Sequence, residues 1–176
     1  MSDYGDVTEA GTVRFRRVLP GPVERVWAFL TEPEKRATWF GGGPMELRAG
    51  GAARMHIRHA NLSPGETPPE KYRKANEGIE FDYCILAAEP PRLLAFTWPG
   101  EEGTPDSEVT ITLTEQGDRV LLELTHRRLD RPGMIDVSGG WHIHLDLLRA
   151  KLEGTAAPAF WASVARYESE YPQRIP

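Results

Sequence analysis

A single cysteine, Cys84, among 176 residues rules out an internal disulfide and any zinc site built from cysteines. It lies in a strand-like run and reads as a small, half-buried filler. Basic blocks are also missing. Lys and Arg number 21 against 26 Asp and Glu, for a formal net charge of −5 with the signs mixed along the chain, so nucleic acid is not an expected partner. The densest basic cluster, Arg14, Arg16 and Arg17, falls on a strand and reads as solvated side chains on a sheet's outer face. No run approaches the ~20 apolar residues of a membrane-spanning helix, which predicts no membrane insertion. Met1–Gly11 is polar and acidic, without a basic-then-apolar leader pattern, and the cytoplasm is the expected compartment. There is no Gly-x-Ser-x-Gly nucleophile elbow. Gly41-Gly42-Gly43-Pro44 lacks the Gly-Lys-Ser/Thr of a phosphate loop and leads into a strand, so it reads as a turn.

What is present is a distinctive order of elements. Residues 1–11 show no periodicity and are expected to form a flexible tail, leaving 12–176 as a single domain. Val13–Leu19 alternates as a strand. Pro22 opens a helix with Val23, Val26, Trp27 and Leu30 on one stripe. Thr31-Glu32-Pro33-Glu34 matches a capping box, with Thr31 as cap, for a second short helix to about Trp39. Six strand-like runs then fill residues 44–128, beginning with Met45–Ala49 and Ala53–His59 around Gly50-Gly51. A proline-rich insertion at 61–76 interrupts them and is long enough to suggest a lid or disorder. Four clearer strands follow, with turns at Pro90-Pro91, Gly100–Asp106 and Gln116-Gly117-Asp118. After Pro132-Gly133 a long helix carries Trp141, Leu145, Leu148 and Leu152 on one stripe and stops at Gly154. A last helix from Pro158 aligns Phe160, Val164, Tyr167 and Tyr171. Many strands before one long amphipathic helix predict an α+β fold, a curved antiparallel sheet folded around that helix.

Catalytic or metal-binding patterns are sparse. His142 and His144, two apart on a helix, diverge by about 200° and cannot share a metal. His56 and His59 are expected on opposite faces of one strand. Glu80 and Asp82 share the strand face opposite Phe81 and Tyr83 and read as solvent-facing. The reading therefore contains no metal site, no cofactor and no assigned catalytic residue. An aromatic inner surface remains, with Phe81, Tyr83, Phe96, Trp98 and Trp141 as candidate cavity residues and His144 as the polar group of the pocket. Gly139 and Gly140 cost about 1 kcal/mol each relative to alanine inside a helix. Close approach to the sheet, room for a ligand or a frayed first turn would each account for them.

Several segments are familiar together. Pro22-Val23-Glu24-Arg25-Val26-Trp27-Ala28-Phe29-Leu30-Thr31-Glu32-Pro33 with Trp39, Glu89-Pro90-Pro91-Arg92-Leu93-Leu94-Ala95-Phe96-Thr97-Trp98, Gly140-Trp141 with its leucine stripe, and Phe160-Trp161 resemble the START-like (SRPBCC) superfamily. Within it the chain is most similar to the activator of heat-shock protein 90 ATPase homologue family, over about residues 12–170. The resemblance implies a helix-grip fold: a curved seven-stranded antiparallel sheet wrapped around a long C-terminal helix, with two short helices after the first strand. It also implies a cavity for hydrophobic molecules and adds Trp39 to the candidate ligand-binding residues. The co-chaperone activity in the family's name belongs to larger proteins with an added N-terminal domain and is not carried over, nor is any catalytic residue.

Three functions follow as expectations. The first is binding of a small hydrophobic molecule between the sheet and the C-terminal helix. The second is a cyclase, dehydratase or hydrolase using the same cavity, with Tyr83 or His144 moving the proton. The third is a stress-related or regulatory interaction module, or a homodimer, using the apolar stripe of the last helix.

Overall fold

Alternation with period two runs through strand β2 (Thr12–Pro20), where Val13, Phe15, Arg17 and Leu19 are buried and Arg14, Arg16 and Val18 only partly so. Arg17 thus has core parity. The expectation that Arg14, Arg16 and Arg17 all lie on the outer face is corrected for Arg17, which is fully buried. The computed structural model describes residues 2–100 and 103–176. Met1, Glu101 and Glu102, the latter two in the expected turn at Gly100–Asp106, lie outside the described residues.

Before β2 comes β1 (Asp6–Glu9), and after it β3 (Ala52–Ile57), β4 (Ile79–Glu89), β5 (Leu93–Trp98), β6 (Ser107–Gln116) and β7 (Arg119–Arg127). They form one antiparallel sheet in the spatial order β1-β2-β7-β6-β5-β4-β3. Two short helices, α1 (Val23–Thr31) and α2 (Pro33–Arg36), follow β2, and α3 (Arg73–Glu77) precedes β4. The long α4 (Arg131–Glu153) packs on β2 and on the last helix, α5 (Phe160–Arg174). This is the α+β sheet-and-helix architecture that the order of elements predicts and the helix-grip fold that the resemblance implies. The stripe Trp141, Leu145, Leu148 and Leu152 is buried in a core shared with both faces of contact. Asp130 caps α4 by accepting from the Gly133 amide at 2.8 Å, and Gly154 ends it at φ +69°, a left-handed position that suits glycine.

Several local expectations are corrected. Residues 6–9 are not a loose tail; they pair with β2, and the segment is held by polar partners rather than by its own apolar pattern. Met45–Ala49 is not a strand. Gly43 sits at φ +93°, where a Cβ would lie 2.2 Å from the Arg54 carbonyl oxygen, and only isolated bridges join Gly42 to His56 and Met45 to Ala53. The count of seven strands holds because β1 takes the place of that segment. Thr31 caps nothing; its hydroxyl donates to the Trp27 carbonyl, and Glu32 occupies the cap position of α2. His59 is past the end of β3, in a short 3₁₀ turn, so it is not on the strand that carries His56.

Candidate functional site

A cleft of about 880 Å³ opens between α4, α5 and the segment that follows β3. Aromatic rings form much of its lining: Phe40, Tyr72, Trp98, Trp141, Phe160 and Trp161. They contact one another, Phe40 with Trp141 at 5.1 Å, Trp98 with Trp141 at 5.7 Å and Tyr72 stacked on Trp161 at 5.4 Å between ring centroids. Lys71, Arg131, Asp136 and Glu168 supply polar groups around them. Gly140 leaves open space where a Cβ would stand and exposes bare helix backbone to the cleft, whereas a Cβ on Gly139 would touch Tyr167 at 3.8 Å.

The 61–76 insertion is ordered as one wall. Glu66 accepts from the first amides of α5, Phe160 N at 2.7 Å and Trp161 N at 2.9 Å, and so caps a helix that has no side-chain cap of its own. Ser63 accepts the Trp161 indole N–H at 3.1 Å and donates to the His59 carbonyl at 2.8 Å. Tyr72 donates to Glu168, and Lys71 pairs with the same carboxylate at 2.7 Å. Burial, then the nearby Glu168, pushes the Tyr72 hydroxyl well above its ordinary range.

Beneath the rings the hydrogen-bond directions are fixed by chemistry. The Trp141 indole can only donate, so its 3.0 Å bond makes Nδ1 of His126 the acceptor. His126 Nε2 then carries the proton and donates to Ser107 Oγ at 2.8 Å, and Ser107 donates to the Trp98 carbonyl at 3.3 Å. Burial keeps His126 neutral, with its pKa lowered to about 4. The same logic applies to His144. A carbonyl can only accept, so the 2.7 Å contact with Trp39 O places the proton on Nδ1 and a lone pair on Nε2. Burial, reinforced by His59, lowers its pKa to about 3 against a modest opposing effect of the Trp39 carbonyl. His59 lies 5.4 Å from His144 between ring centroids and is likewise held neutral by burial, near 4.

Of the sequence-derived ligand-binding residues, Trp98, Trp141 and His144 line the cleft and Trp39, Phe81, Tyr83 and Phe96 do not. Trp39 is buried, with its indole N–H on the Phe29 carbonyl, and reaches the site through His144 and by stacking on Phe40 at 5.4 Å. Phe81 packs edge-on against Trp98 at 5.3 Å. Tyr83 and Phe96 border an internal void of about 10 Å³, room for roughly one water molecule. The Tyr83 hydroxyl has no partner there, and burial raises its pKa. The sequence reading passed over Phe40, His59, Tyr72, Phe160 and Trp161. Phe160 stood out as part of an apolar stripe and Phe160-Trp161 as part of the family resemblance, neither as cleft lining, and Tyr72 is the one aromatic residue of the polar insertion. Among the described residues, no group of three or more His, Cys, Asp and Glu side chains could hold a metal, and no helix is long and apolar enough to cross a membrane.

The opposite side of α4 is closed and polar. Arg17 reaches Asp146 at 3.1 Å and the Asp3 carbonyl at 2.7 Å, and Arg149 contacts both Asp146 and the Asp3 carboxylate. Tyr167 donates to Asp146 at 2.8 Å. His142 stacks on Tyr167 at 3.8 Å and shares a 2.9 Å hydrogen bond with the Tyr171 hydroxyl. Burial lowers the His142 pKa to about 4 although Asp146 pulls the other way.

A seven-stranded antiparallel sheet with a long helix against it and an aromatic cleft beside that helix defines a START-like protein. Residues 20–153 match the family described as Activator of Hsp90 ATPase homolog 1-like protein, and the chain belongs to that family. A Bordetella parapertussis protein, the product of gene BPP1335, has a solution structure that is 45% identical, with a TM-score of 0.86 over 98% of this chain and 91% of that one. CalU16 from Micromonospora echinospora is 28% identical, with a TM-score of 0.69 over 93% and 88% of the two chains. A protein of unknown function from Enterococcus faecalis, EF2215, shares the fold at 20% identity and a TM-score of 0.67 over 94% and 86%. No curated protein matches the chain.

Proposed function

We propose that this protein binds a small hydrophobic molecule in the cleft between α4, α5 and the 59–72 segment. The observation that carries the reading is the aromatic lining of a cleft of about 880 Å³, within the ~300–1,000 Å³ range of small-molecule sites. Membership of a START-like family supports it. This seat lies beside the long helix and toward α5, rather than over Tyr83 and Phe96.

An enzymatic reading keeps one specific observation, the uncommitted lone pair of His144. Tyr83 leaves that reading, because a void of about 10 Å³ admits no substrate. His144 titrates near 3, whereas an effective general base has a pKa near the working pH. It is therefore better suited to accept a hydrogen bond than to remove a proton, which favours binding over catalysis. The interaction-module reading loses its motive, since Phe160, Val164, Tyr167 and Tyr171 are all buried.

Native mass spectrometry of freshly purified protein, compared with the denatured mass, tests the proposal. The expected result is an extra mass that disappears on denaturation and is absent from the Trp98→Ala variant. Trp98 is the ring to remove because it is only partly buried, whereas Trp141 also anchors His126. An adduct retained in full by folded Trp98→Ala would place the ligand elsewhere.

A further inference from the structure

The polar groups around the cleft differ in what they still have to give. The Trp141 and Trp161 indoles donate to His126 and Ser63, Tyr72 donates to Glu168, and Ser169 donates to the Arg166 carbonyl. Arg131 is bonded to the carbonyls of Pro172, Ile175 and Pro176. Among the described residues, Nε2 of His59 and Nη1 of Arg131, at the rim, have no hydrogen-bond partner, and two further accessible groups in the lining have none. They are Nε2 of His144, a bare lone pair because Nδ1 holds the proton against Trp39, and the indole N–H of Trp98. Nδ1 of His59 also lacks a partner but is sealed from solvent.

On the reading that this cleft is a ligand site, we propose that its ligand is a neutral, planar molecule whose O–H or N–H group donates to His144 Nε2, so that His144 determines specificity. Planarity follows from the composition of the lining, since aromatic side chains pack most favourably against a flat aromatic guest. The need for a donor follows from desolvation. An apolar guest without one would cover the Nε2 lone pair and leave it unpaired, while a hydroxyl satisfies it. Neutrality follows from the lone pair of Nε2. A carboxylate has no proton to give the lone pair and would be repelled by it, while Lys71 is paired with Glu168 and Arg131 is already anchored by three backbone carbonyls.

The experiment compares three probes of one shape, 2-naphthol, 2-methoxynaphthalene and 2-naphthoate, by isothermal titration of wild type and of His144→Phe. The expected order in wild type is 2-naphthol tighter than 2-methoxynaphthalene by about 3- to 10-fold, the worth of one net hydrogen bond, with 2-naphthoate weakest. In His144→Phe the margin between the first two collapses. A second readout needs no variant and stands if His144→Phe does not fold: the ¹⁵N resonance of His144 Nε2 in wild type shifts with 2-naphthol and stays put with 2-methoxynaphthalene. Equal binding of the two neutral probes, with no Nε2 shift, overturns the role of His144 while leaving the cleft as a binding site. Tightest binding by 2-naphthoate overturns the preference for a neutral ligand. Failure of all three probes to bind overturns both this inference and the binding function on which it rests.

Discussion

His142 and His144 sit two residues apart on α4 and face opposite surroundings. His142 is stacked on Tyr167 and hydrogen-bonded to Tyr171, next to a carboxylate that serves Arg17, Arg149 and Tyr167. His144 has a single hydrogen-bond partner, the Trp39 carbonyl, and turns its other nitrogen to an aromatic cleft. On the first side nearly every polar group has a partner within the chain. On the second, an acceptor is buried in a lining whose other groups are mostly apolar or committed. The difference separates a surface built to hold α5 and the N-terminal segment in place from one that retains unsatisfied capacity for a guest.

Acid should produce the largest effect and test whether the two sides fail together. His59, His126 and His142 are depressed to about 4 and His144 to about 3, from an ordinary 6.5. Between those values the unfolded chain binds protons that the folded chain does not. Stability is therefore full above about pH 6.5 and is lost as the pH falls, each histidine adding about 1.4 kcal/mol per pH unit. Urea denaturation from pH 7 to pH 5 should show this slope, and His144→Phe or His142→Phe should each lower it by one proton. NMR titration sharpens the comparison: His142, helped by Asp146, should take its proton before His144. The reverse order would mean that the cleft side is the more open to water.

The next effect separates the sides by mutation. Asp146→Ala leaves the guanidinium of Arg17, which is fully buried, without its carboxylate. Breaking a buried pair in this way costs about 3–5 kcal/mol, measurable as a drop in the denaturant midpoint at constant slope. A loss below about 1 kcal/mol would mean that Asp3, 3.8 Å from Arg17, takes over the pairing, and that the closed side is more adaptable than its geometry implies.

Glu66→Ala strikes the wall of the open side. Its carboxylate caps α5 through two backbone amides, and the loss of a helix cap is worth about 0.5–2 kcal/mol. The amides of residues 160–164 should lose hydrogen-exchange protection while those of α4 keep theirs. Uniform loss across both helices would show that the wall and the core unfold as one unit.

These residues also show how far the sequence can be read. The sheet, the long helix and its Gly154 stop follow from periodicity and turn chemistry, because each signal lies within a few neighbouring residues. Arg17 was legible by parity, since it shares a face with Val13, Phe15 and Leu19, but its charge argued the other way until Asp146 came into view. The N-terminal strand was not legible, because Asp3 and Tyr4 are held by Arg149 and Glu170 from distant helices. The cleft was legible only in part for the same reason. Trp98, Trp141 and His144 belong to regular elements with a clear inner face, whereas His59 and Tyr72 join them through an insertion docked by Ser63 and Glu66.

The smallest expected effect asks why α4 carries two glycines at its centre. A glycine inside a helix costs about 0.5–1 kcal/mol relative to alanine, so both alanine variants should gain about that much provided the new methyl fits. It fits at both sites, since a Cβ at 139 meets Tyr167 at an ordinary 3.8 Å and one at 140 meets nothing within 4 Å. Each variant should melt about 2–4 °C higher per kcal/mol gained. The two should part company in binding. Both glycines border the cleft, but Gly139→Ala turns its methyl onto Tyr167 and should weaken ligand binding less than Gly140→Ala, whose methyl enters open space. A Gly140→Ala protein that gains stability and binds as tightly as wild type would remove the ligand as the reason for that glycine, and the open side of α4 would then differ from the closed one only in packing.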